Sequence, residues 1–228
     1  MTTDTISPAG APAPAGSTSA PVRGTWRQYL AAVRVLAVLT VVLGLFYPLA
    51  VTGIAQLPGL RDRADGSLVR DASGTVVGSR LLGQGFLDAG GNPLRQWFQP
   101  RPSAAGENGW DGASSGASNL GPNNPDLVTA INDRKAAVAA FDSVPGHVVT
   151  PEQVPADAVT ASGSGLDPDI SPAYARQQAY RVAVARGLDP GRVLALVEDQ
   201  VQGRTLGFLG QERVNVLELN RALPGLAP

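Results

Sequence analysis

Two stretches of small polar residues are where this sequence could do chemistry. The first is Ser114-Ser115-Gly116-Ala117-Ser118-Asn119-Leu120-Gly121-Pro122; the second runs from Thr160 through Ser162-Gly163-Ser164-Gly165 to Asp167 and Asp169. Glycine-rich backbone ahead of a helix can turn amide groups toward an anion, and Ser164-Gly165 lies shortly before a helix start at Ser171. Neither stretch has the spacing of a phosphate loop or a dinucleotide fingerprint, so a tight turn that needs glycine dihedrals is the preferred reading. Nucleophilic catalysis is poorly served. No Gly-x-Ser-x-Gly elbow surrounds Ser162 or Ser164, and the one histidine, His147, sits in the turn-like Pro145-Gly146-His147-Val148. Asp167 and Asp169 flank Pro168 and read as ligands of nearby backbone rather than as an acid–base pair. Arg101 is held between Pro100 and Pro102, shortly after Trp97 and Phe98. Either its stem packs on those aromatics, or its guanidinium is left for a docking contact.

Composition narrows the chemistry further. The 228 residues carry 18 Lys and Arg against 19 Asp and Glu, a formal charge of −1, so the electrostatic footprint of a nucleic-acid binder is missing. Cysteine is absent, which excludes disulfide frameworks, thiol catalysis and thiolate metal sites, and a single histidine leaves little for an imidazole-ligated metal. Lys135 is the only lysine, and its neighbours Arg134 and Ala136 do not make the Gly-Lys-Ser/Thr of a Walker A loop.

The elements that must position these residues fall into three regions. Residues 1–24 are rich in Ala, Pro, Ser, Thr and Gly and predict a disordered tail. Residues 25–60 predict a membrane anchor: no charged residue occurs between Val35 and Leu60, and a span over about 35–57 is long enough to cross the hydrocarbon core. Arg27, Arg34, Trp26 and Tyr29 sit at its entrance as interfacial residues do, and Pro48 predicts a kink. A cleaved signal peptide is the competing reading, but the apolar run exceeds the about 7–15 residues of a signal core. Arg23, Arg27 and Arg34 before the span balance Arg61, Arg63 and Arg70 after it, so basic residues alone leave the orientation open. Asp62, Asp65 and Asp71 lean the net charge toward an internal N-terminus.

Residues 61–228 predict one soluble α+β domain. Asn124-Pro125, Ser171-Pro172 and Asp189-Pro190 each pair a capping residue with proline at the first helical position. They predict helices with Leu127, Ile131, Val138 and Phe141; with Ala175, Ala179, Val182 and Ala183; and with Leu194, Val197 and Val201, the last two closed by Gly187 and Gly203. Ser67–Asp71 and Thr75–Leu82 predict a hairpin, and Val214-Asn215-Val216 a strand, although Val216–Leu223 suits a short helix equally. The segment from Gly90 to Asn124 predicts a long irregular loop with a recognition or docking role.

These motifs, taken in order, resemble the C subunits of Kdp potassium-transporting P-type ATPases. The likeness runs from about Val35 to Leu223. It is carried by Tyr47-Pro48-Leu49, Gly78-Ser79-Arg80-Leu81-Leu82-Gly83-Gln84, Arg101-Pro102-Ser103-Ala104, Ser118-Asn119-Leu120-Gly121-Pro122, Gln178, Arg181-Val182-Ala183 and Val214-Asn215-Val216-Leu217-Glu218-Leu219-Asn220. Ala117 and Pro100 stand where that family commonly has glycine. The resemblance implies an accessory subunit of a high-affinity, ATP-driven potassium importer in the cell membrane. Its partners would be a potassium-channel-like subunit, an ATP-hydrolysing P-type subunit and a small membrane peptide, with lipid around the anchor. The resemblance further implies an outer-face location for 61–228 and a catalytic-chaperone role that raises the ATP affinity of the hydrolysing subunit. No firmly bound cofactor is expected, with ATP reached through the complex. A nucleotide role would be carried over onto Ser115, Gly116, Ser118 and Gln178, and partner docking is expected of Arg101, Asn119, Gly163, Gly165 and Asp167. Gly163 and Gly165 are both expected to adopt positive φ or to admit a second backbone. A membrane-anchored extracytoplasmic binding or hydrolytic domain acting alone is the alternative.

Overall fold

The structure is a computed structural model that describes residues 25–226; the tail expected over 1–24 lies outside them. The chain divides into two compact units between Pro58 and Gly59. The first is a single apolar helix of 31 residues, Thr25–Ala55, with none of its side chains buried in the chain. It comprises α1 (Thr25–Val41), a π-helical turn (Val42–Phe46) and α2 (Tyr47–Ala55). At 1.5 Å per residue it is roughly 46 Å long, against a hydrocarbon core of about 30 Å. Helix formation thus begins well before the uncharged run does. At the proline the helix widens: Pro48 has no N–H to give, and the π-turn lies immediately before it.

The second unit is a mixed α/β body. After one turn of helix, α3 (Arg61–Ala64), strands β1 (Leu68–Arg70) and β2 (Val76–Ser79) form the expected antiparallel hairpin in the register Leu68↔Ser79 and Val69↔Gly78. Its turn is built by Asp71, whose Oδ1 accepts from the Ser73 and Thr75 amides at 2.9 and 3.0 Å. The three capped helices follow as α4 (Pro125–Asp142), α6 (Pro172–Arg186) and α7 (Pro190–Asp199), with the short α5 (Ala156–Val159) between the first two. Asn124, Ser171 and Asp189 each accept a backbone N–H from the first turn, so the cap that the sequence signals is the cap that forms. Gly187 closes α6 with φ 65°. Helix α7 stops at Asp199 rather than near Gly203, because Gln202 is drawn into a backbone pair with Arg213, at 2.8 and 3.0 Å. Strand β3 (Asp169–Ile170) pairs antiparallel with β4 (Val214–Asn215), and α8 (Val216–Ala222) follows without a break. Both readings of the C-terminal segment are therefore realised in succession. No regular element forms between Gly90 and Asn124.

Helix α6 is the centre of the core. Ala175, Ala179, Val182 and Ala183 are fully buried on one face, and Phe98, Val193, Val197, Val214 and Leu219 close around them. Three alanines in that face let neighbouring backbones come near. On α7 the buried pair is Val193 and Val197; Leu194 and Val201, expected on the inner face, are only partly covered.

Candidate functional site

The irregular segment from Arg95 to Gln99 has no strand beside it, yet Phe98 and Gln99 are buried. Buried amides and carbonyls need partners, and here side chains supply them. Asn220 accepts from the Phe98 N–H at 2.9 Å and returns a bond to its carbonyl at 3.0 Å. Gln178 does the same for Gln99, at 2.7 and 3.0 Å. Two carboxamides thus do the work of a missing strand. Arg181 completes the arrangement by donating to the carbonyls of Arg95 and Trp97, to Gln178 Oε1 at 2.7 Å and to Asp142 Oδ1 at 2.8 Å. Gln177 takes the other Asp142 oxygen at 2.7 Å. Arg181 is fully buried over the Phe141 ring, 4.4 Å from its centroid. Burial weakens its hold on its proton, and the Asp142 carboxylate opposes that loss. Arg186, not Arg101, is the arginine that stacks on Trp97, at 4.2 Å.

A second cluster joins the two polar stretches. Arg101 donates to Asp167 at 2.9 Å and to the Thr160 carbonyl at 3.4 Å, so the expected packing on Trp97 and Phe98 gives way to an ion pair with the second stretch. Ser103 donates to the Gly165 carbonyl at 2.6 Å and accepts from the amides of Ala105 and Trp110. The Ser115 hydroxyl and the Gly116 N–H both end on the Ser164 carbonyl, at 3.0 and 2.9 Å. Gly165 has φ +69° and is buried; a Cβ there would lie 2.6 Å from Ala105 Cβ and 2.7 Å from the Gly116 carbonyl oxygen. The close backbone approach expected at Gly165 is present. At Gly163 it is not: that residue is exposed, its φ is not positive, and nothing lies within 4 Å of a Cβ built on it. Asp167 also accepts from the Asp169 amide at 3.0 Å, the local backbone ligation its position suggests. Burial, then the neighbouring charge of Asp167, holds the Asp169 carboxyl above its usual range, against Arg213 at 3.1 Å and Asn215. Asp157 steadies the end of this stretch by accepting from both the N–H and the hydroxyl of Ser171, at 2.7 and 2.8 Å.

Of the predicted residues, the structure therefore brings Arg101, Ser115, Gly116, Gly165 and Asp167 to one loop cluster. Ser118 and Asn119 lie exposed where the chain leaves that loop, Asn119 with φ 53°. Gln178 belongs to the other group, inside the core. Sequence reasoning did not find Asp142, Gln99 or Tyr174. Beside the cluster, Pro100, Arg101, Trp110, Arg134, Phe141 and Tyr174 line a largely apolar cavity of about 490 Å³. Arg134 closes one side by donating to the Val159 carbonyl at 3.0 Å, and burial pushes the Tyr174 phenol well above its usual range. Of the four residues expected to serve a nucleotide, Ser115, Gly116 and Gln178 spend donors within the chain, whereas Ser118 is exposed and forms no hydrogen bond among the described residues.

Known proteins match this sequence along most of its length. The family model of the K+-transporting ATPase c chain, KdpC, matches residues 29–224. A potassium-transporting ATPase KdpC subunit of Kineococcus radiotolerans is 54% identical over 202 residues, covering 89% of this chain and 95% of its own. The corresponding subunits of Streptomyces coelicolor and Caulobacter vibrioides are 51% and 52% identical, over 86% and 85% of this chain and 92% and 90% of theirs. Matches of this extent take in the apolar helix, the side-chain-built core and the loop cluster together, and the chain belongs to the KdpC family, the c chain of the K+-transporting ATPase.

Proposed function

We propose that this chain is the accessory subunit of an ATP-driven potassium import complex, anchored by the Thr25–Ala55 helix and carrying its α/β domain on the outer face of the membrane. The observation that carries the reading is the family match over 29–224, which takes in the apolar helix and the folded domain alike. The partners in this reading are a channel-like subunit, an ATP-hydrolysing P-type subunit and a small membrane peptide. The chain supports their assembly and raises the ATP affinity of the hydrolysing subunit. It does so without holding ATP firmly itself, which is supported by the engagement of Ser115, Gly116 and Gln178 within the chain. The effect on ATP then passes through subunit contacts, and we assign docking to the solvent side of the loop cluster, from Arg101 and Asp167 to Gly163 and Asn119.

The absence of cysteine makes the topology directly testable. Single-cysteine variants Ser17→Cys and Val148→Cys, the latter at a site 74% exposed, should react with an impermeant maleimide from opposite sides, Val148→Cys from outside. Reaction of both from one side overturns the anchor, and reversed sidedness overturns the outer-face location. Tagged full-length chain should recover the other chains of its complex in stoichiometric amounts, and alone it should bind ATP no better than millimolar. Micromolar binding that disappears in Gln178→Ala would overturn the indirect route.

A further inference from the structure

The cavity of about 490 Å³ beside the loop cluster has the size of a small-molecule pocket, and nothing above gives it a task. It has a mouth and a floor. Pro93 and Ala137 on its lining are exposed, whereas Pro100, Ala158 and Tyr174 are buried. Phe141 and Trp110 supply aromatic walls. The Trp110 ring is set firmly, because it lies over two glycines: a Cβ at Gly83 or Gly85 would come within 3.2 and 2.7 Å of it.

The polar groups around this apolar space are out of balance. Tyr174 is only 4% exposed, yet its hydroxyl forms no hydrogen bond among the described residues. A buried phenol ordinarily finds a partner. Burial holds that phenol well above its usual titration range, so it keeps its proton and can donate. The indole N–H of Trp110 is also without a partner among the described residues. Arg134 spends one of its five N–H groups, on the Val159 carbonyl at 3.0 Å. The buried Nε–H of Arg101 has no acceptor either. Gln99, by contrast, is fully used, giving its amide to the Phe86 and Leu94 carbonyls. No acidic residue lines the space. The unspent side-chain groups are therefore donors, two of them on arginines, and the complement is an anionic acceptor on an apolar body.

We propose that this cavity binds a small aromatic or branched-chain carboxylate, its apolar part between Phe141 and Trp110 and its carboxylate against the Tyr174 hydroxyl and the Arg134 guanidinium. A planar carboxylate suits a guanidinium fork, whereas a phosphate brings more oxygens and more charge than these few donors can satisfy. The inference stands apart from the subunit reading given above, since every group it uses belongs to this chain.

The test titrates 4-fluorophenylacetate into the full chain in lipid nanodiscs, followed by fluorine NMR, with empty nanodiscs as the blank. Binding should saturate with a Kd of about 1 mM or tighter. Tyr174→Phe keeps the ring and removes the hydroxyl, and should weaken binding about tenfold. Ala137→Trp, at an exposed helix position, fills the mouth and should abolish it. The neutral 4-fluorophenylacetamide should bind about tenfold more weakly than the acid. Circular dichroism of each variant checks that its domain is folded. No saturation by about 10 mM in the wild type, or wild-type affinity in either folded variant, overturns the inference. Equal affinity for acid and amide overturns the carboxylate assignment. Binding to the chain alone that disappears when it is assembled with other subunits names a partner's side chain as the occupant, and overturns the inference while the subunit reading stands.

Discussion

The core network around Arg181 and the loop cluster around Gly165 solve one problem in two ways. Each must fix irregular backbone that has no strand or helix to pair with. In the core, long side chains reach in: Gln178, Asn220 and Arg181 bond to the backbone of residues 95–99. In the loops, backbones meet almost directly, bridged by the small hydroxyls of Ser103 and Ser115 and by a residue with no side chain at all. The first solution seals charge away from water; the second leaves its surroundings partly open. Loss of one partner is therefore severe in the core, where the remaining charge has no alternative, and milder at the cluster, where water can substitute.

This contrast can be broken at several points. Arg181→Ala should have the largest effect, a loss of about 3–5 kcal/mol in denaturant unfolding of the full chain, since it strands the Asp142 carboxylate and two backbone carbonyls. A loss under about 1 kcal/mol would show that water already enters the network. Next is Gly165→Ala, expected to cost about 1–3 kcal/mol because its Cβ overlaps Ala105 and Gly116, while Gly163→Ala stays within about 0.5 kcal/mol. That pair sharpens the comparison, since the two glycines are neighbours in a single stretch. Gly165→Ala would thus weaken the domain itself, whatever it does to docking. Arg101→Ala should cost about 1 kcal/mol or less, as expected of a pair that water partly reaches. The smallest effect belongs to Glu218. Burial works against its ionisation, but hydrogen bonds from Arg80 and Arg221 hold its carboxyl below the usual range. Its contribution is present above the ordinary value of 4.5 and is lost as pH falls through the lower folded value, so Glu218→Gln should flatten that part of the acid-unfolding curve. Asp169, whose carboxyl is held high, should contribute with the opposite sign.

Much of the scaffold was legible because its signals are local. Asn124-Pro125, Ser171-Pro172 and Asp189-Pro190 place three helix starts, since a cap and a fixed φ act within one turn. The alanine–valine face of α6 follows from period alone. The end of α7 was misplaced because Gln202 answers to Arg213, a partner that no window around residue 200 contains. The candidate site divides along the same line. Asp167 as a ligand of nearby backbone is a short-range reading, whereas its bond to Arg101 spans 66 positions. The core network did leave a trace: Gln178 and Arg181 interrupt the apolar face of α6, and polar residues on such a face demand buried partners. Which partners they take, Gln99 and Asp142, depends on tertiary packing.

The amide pair between Phe98 and Asn220 joins positions 122 apart. Neither half of that bond can form until residue 220 has been made. At translation rates of about 5–20 residues per second, Phe98 waits roughly 6–24 s for its partner to be synthesised. During that interval the nascent chain carries an apolar anchor and an unclosed domain together. The domain can therefore close only once α8 has been made, and a truncation that removes α8 should leave an earlier segment, far away in sequence, without its backbone partners.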